Sequence, residues 1–258
     1  MNADAIEKLK QLRSLLAYHK MVGIEEYCLN DDIDTFFNTR PGRYSENLDV
    51  GEQATVRQVN RTRQPLNEGQ SETIAELCEE ITICHSCDLA KKRIRPVCGR
   101  SAIQVKLFIV GSWLTVDAST HEQGEIFGAA EDQMLDKMLK AIHLTSDETF
   151  VANVIKCGIA NTVQPQALHI DTCLSFLERQ IAVTSPKIIC TMGTVATRAL
   201  LKVKQPLSQL RGTFHEYRLG EHIFPLMPTY HPSFLLKNPE MKRPTWSDLQ
   251  QIEKALTQ

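Results

Sequence analysis

Long apolar runs, an excess of charge of one sign and low-complexity tracts are all missing from this chain of 258 residues. No stretch approaches the roughly 18 uninterrupted apolar residues of a membrane span. The opening MNADAIEKLK has no apolar signal-peptide core, so neither span nor signal is expected. The 29 Lys and Arg are offset by 31 Asp and Glu, a net charge of −2, so no global field attracts nucleic acid and any such binding must come from local patches. No internal repeat occurs, and solenoid or collagen-like chains are excluded. Without a leader the expected location is the cytoplasm, where thiols stay reduced. There, eight cysteines point to metal or cluster ligation, or to buried thiols, more than to disulfides. What the chain does have is 42% hydrophobic and 23% charged residues, enough for a real core.

Ile6, Leu9, Leu12, Leu15 and Leu16 fall at helical spacing, so residues 1–27 are expected to form an amphipathic helix that binds a partner. Residues 28–70 lose all periodicity and resemble a polar linker. The globular domain is expected over 71–258, opening with Ser71 as the capping residue of the helix TIAELCEEITIC. Short β-rich runs at 106–110, 150–155, 187–191 and 223–227 alternate with helical stretches at 133–142, 167–183 and 195–201, before a last helix at 245–256. This alternation predicts a three-layer α/β/α fold around a mostly parallel four-stranded sheet. In such sheets chemistry gathers beyond the carboxyl ends of strands, here after Val110, Ile155 and Met227.

Cys84 and Cys87 form C-x2-C, and after a gap of 69 residues Cys157 and Cys173 form C-x15-C. The first pair suits one corner of a metal or cluster site, and by spacing alone zinc and iron–sulfur are equally compatible. Cys28, Cys78 and Cys190 read as buried thiols, while Cys98 extends the first pair into a second plausible ligand triplet.

Several motifs fall in order along residues 84–253: the four cysteines, NVIKC (153–157), LERQIAVTSPKII (177–189), LRG (210–212), TYHPSFLL (229–236) and TWSDL (245–249). Together they resemble the iron–sulfur uracil-DNA glycosylases, family 4 of that superfamily. The resemblance implies a [4Fe–4S] cluster on Cys84, Cys87, Cys157 and Cys173, and an enzyme that flips a base out of DNA and hydrolyses its N-glycosidic bond. It implies His231 as catalytic donor, Asn153 as reader of the base edge and Phe127 as the aromatic that stacks on the base. The apolar Phe234–Leu236 tip, Leu235 included, would enter the duplex, with Ser233 as a DNA contact beside it. Lys91, Lys92, Arg93, Lys156, Arg211 and Lys237 are candidate phosphate contacts.

The match fails at the first motif. Where the family has G-E-x-P-G, this chain has Gly111-Ser112-Trp113-Leu114-Thr115, so the water-positioning carboxylate is gone, and the loop from Gly111 to Gly124 is two residues longer than the family pattern. The family's P-F-V-G-x-A-G reads Ile126-Phe127-Gly128-Ala129-Ala130-Glu131-Asp132. One expectation is a glycosylase that recruits Asp117, or Glu122 or Glu125, and accepts a modified base, a hypermodified cytosine of phage DNA for example, in antiviral defence. Ser112 and the small Gly128 would widen its base pocket. The others are an ordinary uracil excision enzyme of DNA repair, and an inactive scaffold binding replication or clamp-loader proteins. A monomer with DNA as its partner is expected throughout.

Overall fold

The structure, a computed structural model, describes residues 72–100, 102–116 and 124–257. The expected N-terminal helix, the linker, Asp117 and Glu122 lie outside the described residues. The chain first forms α1 (Ile74–Ile83), α2 (Leu89–Lys92), β1 (Arg93–Pro96), β2 (Leu107–Gly111), α3 (Ala129–Ala141), β3 (Thr149–Asn153), β4 (Cys157–Ile159) and α4 (Ala167–Thr184). It continues through β5 (Ile188–Met192), α5 (Thr194–Leu201), α6 (Leu207–Leu210), β6 (His215–Leu219), β7 (His222–Thr229), α7 (Pro232–Lys237) and α8 (Lys242–Thr257).

Every residue of β2, β3 and β5 is buried, which is why these segments read as unbroken apolar runs rather than alternating ones. Successive side chains still point to opposite faces of the sheet. Leu107 and Ile109 pack with Leu135, Met138 and Leu139 of α3, Leu235 of α7 and Leu249 and Ile252 of α8. Phe108 and Val110 pack the other way, against Leu174, Leu177 and Ile181 of α4 and Ala196, Ala199 and Leu200 of α5. The period-2 split of one strand thus generates the two helical layers. No helix among the described residues is long and apolar enough to cross a membrane.

The four expected strands are present and mutually parallel, in the order β3-β2-β5-β7, and a fifth, β6, adds an antiparallel edge beside β7. Its sequence HEYRL buries only Tyr217, and a charged, half-exposed edge strand gives no apolar signal. The small sheet of β1 and β4 was equally unforeseen. The first helix is capped by Thr73 rather than Ser71. Thr73 Oγ1 accepts the amide of Glu76 at 3.2 Å and the Glu76 carboxylate accepts the amide of Thr73 at 2.8 Å, a reciprocal capping box. The last helix begins at Lys242, ahead of the expected Thr245, because Pro244 falls in its first turn, where no amide hydrogen is required. β3 ends at Asn153, two residues earlier than expected, because the amides of Val154 and Ile155 turn to the carbonyls of Gly111 and Ser112.

Candidate active site

Parallel register puts the carboxyl ends of the strands on one side of the sheet, and three elements converge there. Gly111 and Asn153 are register partners at the ends of β2 and β3. His231 follows β7 and caps α7. Phe127, in the loop before α3, holds its ring 4.7 Å from the His231 imidazole at 53°. Gly111 makes this approach possible, since a side chain there would collide with the Phe127 ring and come within 2.5 Å of Asn153 Oδ1. Gly111→Ala is therefore expected to displace both residues and to lower stability by about 1–3 kcal/mol, the usual effect of overpacking. Thermal melts of the variant check this.

Hydrogen bonding fixes which atoms face the site. Asn153 Nδ2 lies 2.5 Å from the carbonyl of Ile126, which can only accept, so the amide nitrogen must be the atom on that side. Asn153 Oδ1 is thereby turned the other way, buried and without a partner. At His231, Nδ1 accepts from the backbone amide of Ser233 at 3.2 Å and lies 2.8 Å from the Ser233 hydroxyl. A neutral ring that accepts at Nδ1 carries its proton on Nε2, and that atom too is buried and unpartnered. Burial lowers the pKa of His231 to about 4, so the ring is neutral at physiological pH. A buried acceptor and a buried donor left unmatched beside an aromatic ring are costly unless a ligand completes them.

Several expected DNA contacts are placed differently. Lys156 is 2% exposed, and its Nζ donates to Asn153 O at 2.7 Å and to Gln180 Oε1 at 2.6 Å, so it braces the site from behind and reaches no phosphate. Arg211 is engaged with the carboxylate of Asp248 and lies over the Tyr230 ring. Arg93 spends its guanidinium on the carbonyls of Ile81 and Thr82, where it ties the end of α1 to β1. Leu235 is 1% exposed and belongs to the core, because the α7 turn aims it at the sheet; its neighbour Leu236, 43% exposed, carries the tip instead. Lys91, Lys92 and Lys237 are exposed, and Ser233 serves to orient His231. Gly128 has a backbone reason to be glycine. Its φ is +128°, and a Cβ there would meet Glu131 Oε2 at 2.7 Å, so its small size does not open space for a larger base. Ser112 is half-buried, with its carbonyl engaged by Ile155. Glu125 is half-buried, 3.8 Å from Arg95.

The cysteines divide in a way that spacing did not reveal. Cys78 and Cys98 are joined in a disulfide, Cα atoms 5.2 Å apart, which corrects their reading as a buried thiol and a spare ligand. The expectation rested on compartment, whereas packing of α1 beside the segment after β1 brings these two side chains into bonding range. Cys190 is a buried free thiol inside β5. The remaining four are also free, and the fold gathers them. Cys84 caps α1, Cys157 opens β4 opposite Pro96 of β1, and Cys173 sits in α4. Cys87, Cys157 and Cys173 pack together with Leu89, Ile155 and Ile159. Burial, and then the charge of Cys173, push the Cys157 thiol up to about 11. Cys173 is raised by burial, with Cys87 and Cys84 adding to it. No group of three or more His, Cys, Asp and Glu among the described residues is arranged to hold a single metal ion. Four cysteines without carboxylate or imidazole are nevertheless a donor set of the kind an iron–sulfur cluster takes.

Sequence reading missed the residues that hold these pieces together. His169 Nε2 lies 2.6 Å from Asp88 Oδ1, and its Nδ1 accepts the amide of Gln166. Asp88 follows Cys87 and His169 precedes Cys173 by one helical turn, so this contact docks the C-x2-C loop on α4. The hydrogen bond to His169 holds the Asp88 carboxyl below its ordinary range. The only signal was an Asp beside a candidate ligand and a His four residues before another.

Comparison with known proteins adds an independent line. A family model described as "Uracil DNA glycosylase superfamily" matches residues 98–250. The chain is 29% identical over 192 residues to a protein of Sulfurisphaera tokodaii named Type-4 uracil-DNA glycosylase, covering 72% of this chain and 86% of that one. A protein of the same name from Pyrobaculum aerophilum is 28% identical, over 68% of this chain and 91% of its own. One from Thermotoga maritima is 25% identical, over 72% and 94%. The solved structure of Pedobacter heparinus SMUG2 aligns with a TM-score of 0.37 at 12% identity, over 60% of this chain and 76% of that chain.

Proposed function

The chain belongs to the uracil DNA glycosylase superfamily, and from that premise we propose that it is a DNA glycosylase, flipping a base out of DNA and hydrolysing its N-glycosidic bond to leave an abasic site. The observation that carries this reading is the pair of orphaned buried atoms, Asn153 Oδ1 and His231 Nε2, beside the Phe127 ring. A flipped base satisfies all three. Its face stacks on Phe127, a ring N–H or exocyclic amine donates to Asn153 Oδ1, and its carbonyl accepts from His231 Nε2–H. As the bond to the sugar breaks, the base gathers negative charge, and a neutral donor already aimed at that oxygen stabilises the transition state more than the ground state. Water bonds through its oxygen to the sugar carbon as the bond to the base breaks, and the proton it releases neutralises the departing base anion, which completes the hydrolysis.

Uracil is the substrate that the relatives' names point to. A second reading, excision of a modified cytosine such as occurs in phage DNA, with a role in antiviral defence, is favoured by one observation. Ser112 replaces the first-motif glutamate, and the chain's remaining candidate acids, Asp117, Glu122 and Glu125, would serve a poorer leaving group that needs protonation. An inactive scaffold gains nothing from two unsatisfied polar atoms. DNA would approach across exposed Lys91, Lys92, Lys237 and the Leu236 tip. Residues 1–27 would recruit a replication or repair protein through the linker 28–70.

Cys84, Cys87, Cys157 and Cys173 would hold a [4Fe–4S] cluster, whose chemistry here is structural, fastening the C-x2-C loop, β4 and α4 to one another. The raised thiols give the proton bookkeeping, since loading must displace protons that Cys157 and Cys173 retain at neutral pH. The purified protein is expected to be brown with a broad visible absorbance. Cys157→Ser is expected to lose the colour and melt earlier; a colourless protein carrying zinc would overturn the assignment.

The test of function is a panel of oligonucleotides containing uracil, hypoxanthine, hydroxymethylated cytosine or glucosylated cytosine, scored for abasic sites. Cleavage of uracil alone selects the first reading and cleavage of a modified cytosine the second. Cleavage of none, with capture of clamp-loader proteins, would support the scaffold.

A further inference from the structure

Asn153 recognises a base only if its amide is held with the oxygen forward, and the structure contains a device that does this. The carbonyl of Ile126 takes the Asn153 Nδ2 hydrogen. The Ile126–Phe127 segment is in turn fixed by one carboxylate. Asp132 Oδ2 accepts the amide of Ile126 at 2.8 Å, and Oδ1 accepts the amide of Phe127 at 3.3 Å. Asp132 lies in the first turn of α3, its own amide bonded to Gly128 O at 2.8 Å, so the rigid helix end supports the carboxylate. Gly128, at a φ that only glycine adopts readily, makes the sharp turn that lets a helical residue reach back to the two residues ahead of the N-cap.

We infer that Asp132 is a specificity-positioning residue, acting through the Ile126 and Phe127 peptides to place the stacking ring and to lock the Asn153 amide with its acceptor toward the base. The inference rests on the glycosylase reading and deepens it. Asp132 touches no substrate. What it controls is which edge of a base the site accepts, because an amide free to rotate by 180° presents a donor as readily as an acceptor and ceases to discriminate. Burial raises the Asp132 pKa and the Asp136 charge adds to it, while the two amides and the Arg100 charge oppose the shift; the acceptor role itself rests on the two amides, one at each carboxylate oxygen. Arg100 is itself held by Asp136 at 3.0 Å.

The substitutions Asp132→Ala, Asp132→Asn and Asp132→Glu separate positioning from folding. Asparagine preserves size but offers one acceptor and one donor to two donors, so it should fail nearly as badly as alanine; glutamate keeps both acceptors and should restore part of the effect. Single-turnover excision is measured on the best base of the panel and on the next best. The ratio of the two rates is expected to fall about tenfold in the alanine and asparagine variants, the equivalent of one well-formed hydrogen bond. An unchanged ratio in both, whatever happens to the melting temperature, would overturn the inference. A second readout needs no activity. Solvent exchange of the Asn153 side-chain amide, followed by NMR and assigned by its loss in Asn153→Ala, should be slow in the native protein and roughly tenfold faster in Asp132→Ala. Equal exchange rates would refute the positioning role. Inactivity of the native protein with a slow native amide that Asp132→Ala releases would refute the glycosylase reading and leave the device standing.

Discussion

His231→Ala is expected to lower the rate of abasic-site formation by about 10²- to 10³-fold, the usual effect of removing one pre-aimed hydrogen-bond donor from developing negative charge, while leaving the expected visible absorbance intact. The loss should appear in single-turnover rates at saturating DNA, because Nε2–H acts on charge that develops only as the bond breaks. Asn153→Ala is expected to join it, since the same pocket would then lack its acceptor; full activity in either variant would refute the assignment. The pH dependence follows from burial. The ring has a pKa of about 4 in the folded protein, against an ordinary value of 6.5, so the unfolded chain binds the extra proton first as pH falls. The donor form is therefore fully populated above about pH 6.5 and persists down towards pH 4. Over that window acidification should remove stability, by at most about 3 kcal/mol for this group. Denaturation midpoints of His231→Ala should consequently fall less steeply between those two pH values than those of the native protein.

The second large effect is expected at Asp248. Its side chain is fully buried, accepting from Arg211 Nη2 at 2.6 Å and Nε at 3.0 Å and from the Thr229 hydroxyl at 2.6 Å. Asp248→Ala leaves a guanidinium largely buried without its counter-charge and a threonine hydroxyl without its acceptor. Removing one partner of such a pair costs about 3–5 kcal/mol. Thr229 is the last residue of β7 and Tyr230, under the Arg211 guanidinium, leads directly to His231, so the His231 loop should loosen with it. The expected result is a lower denaturation midpoint together with reduced excision. Replacing Asp248 and Arg211 together by apolar residues of similar size should recover much of the stability, because nothing charged then remains unpaired. A wild-type midpoint in the single variant would show that the pair contributes nothing.

The contrast between Arg211 and Lys237 shows where sequence reading stops. Both are basic residues in or beside matched motifs, yet one is committed to a buried carboxylate 37 positions away and the other is exposed. Lys156 makes the same point, since a cation between Ile155 and Cys157 gives no local sign that Gln180, 24 residues on, will receive it. Leu235 and Leu236 are adjacent in sequence and opposite in fate, because a helical turn sends one to the core and one to the surface.

By itself the sequence determined the layer architecture, through apolar runs long enough for strands alternating with helical periodicity, and it determined which chemical groups were available: Asn153, His231, Phe127 and four cysteines in register. These are local properties, set by residue type and spacing. Only the tertiary structure decided the rest, because each remaining question concerned partners distant along the chain. It joined Cys78 to Cys98, assigned β6 to the sheet edge, turned Lys156, Arg211 and Arg93 inward, and let Ile126 and Ser233 choose which atoms of Asn153 and His231 stay unpaired. Hydrogen-bond satisfaction is a property of the packed whole, and it is what left one acceptor and one donor open at the ends of the strands.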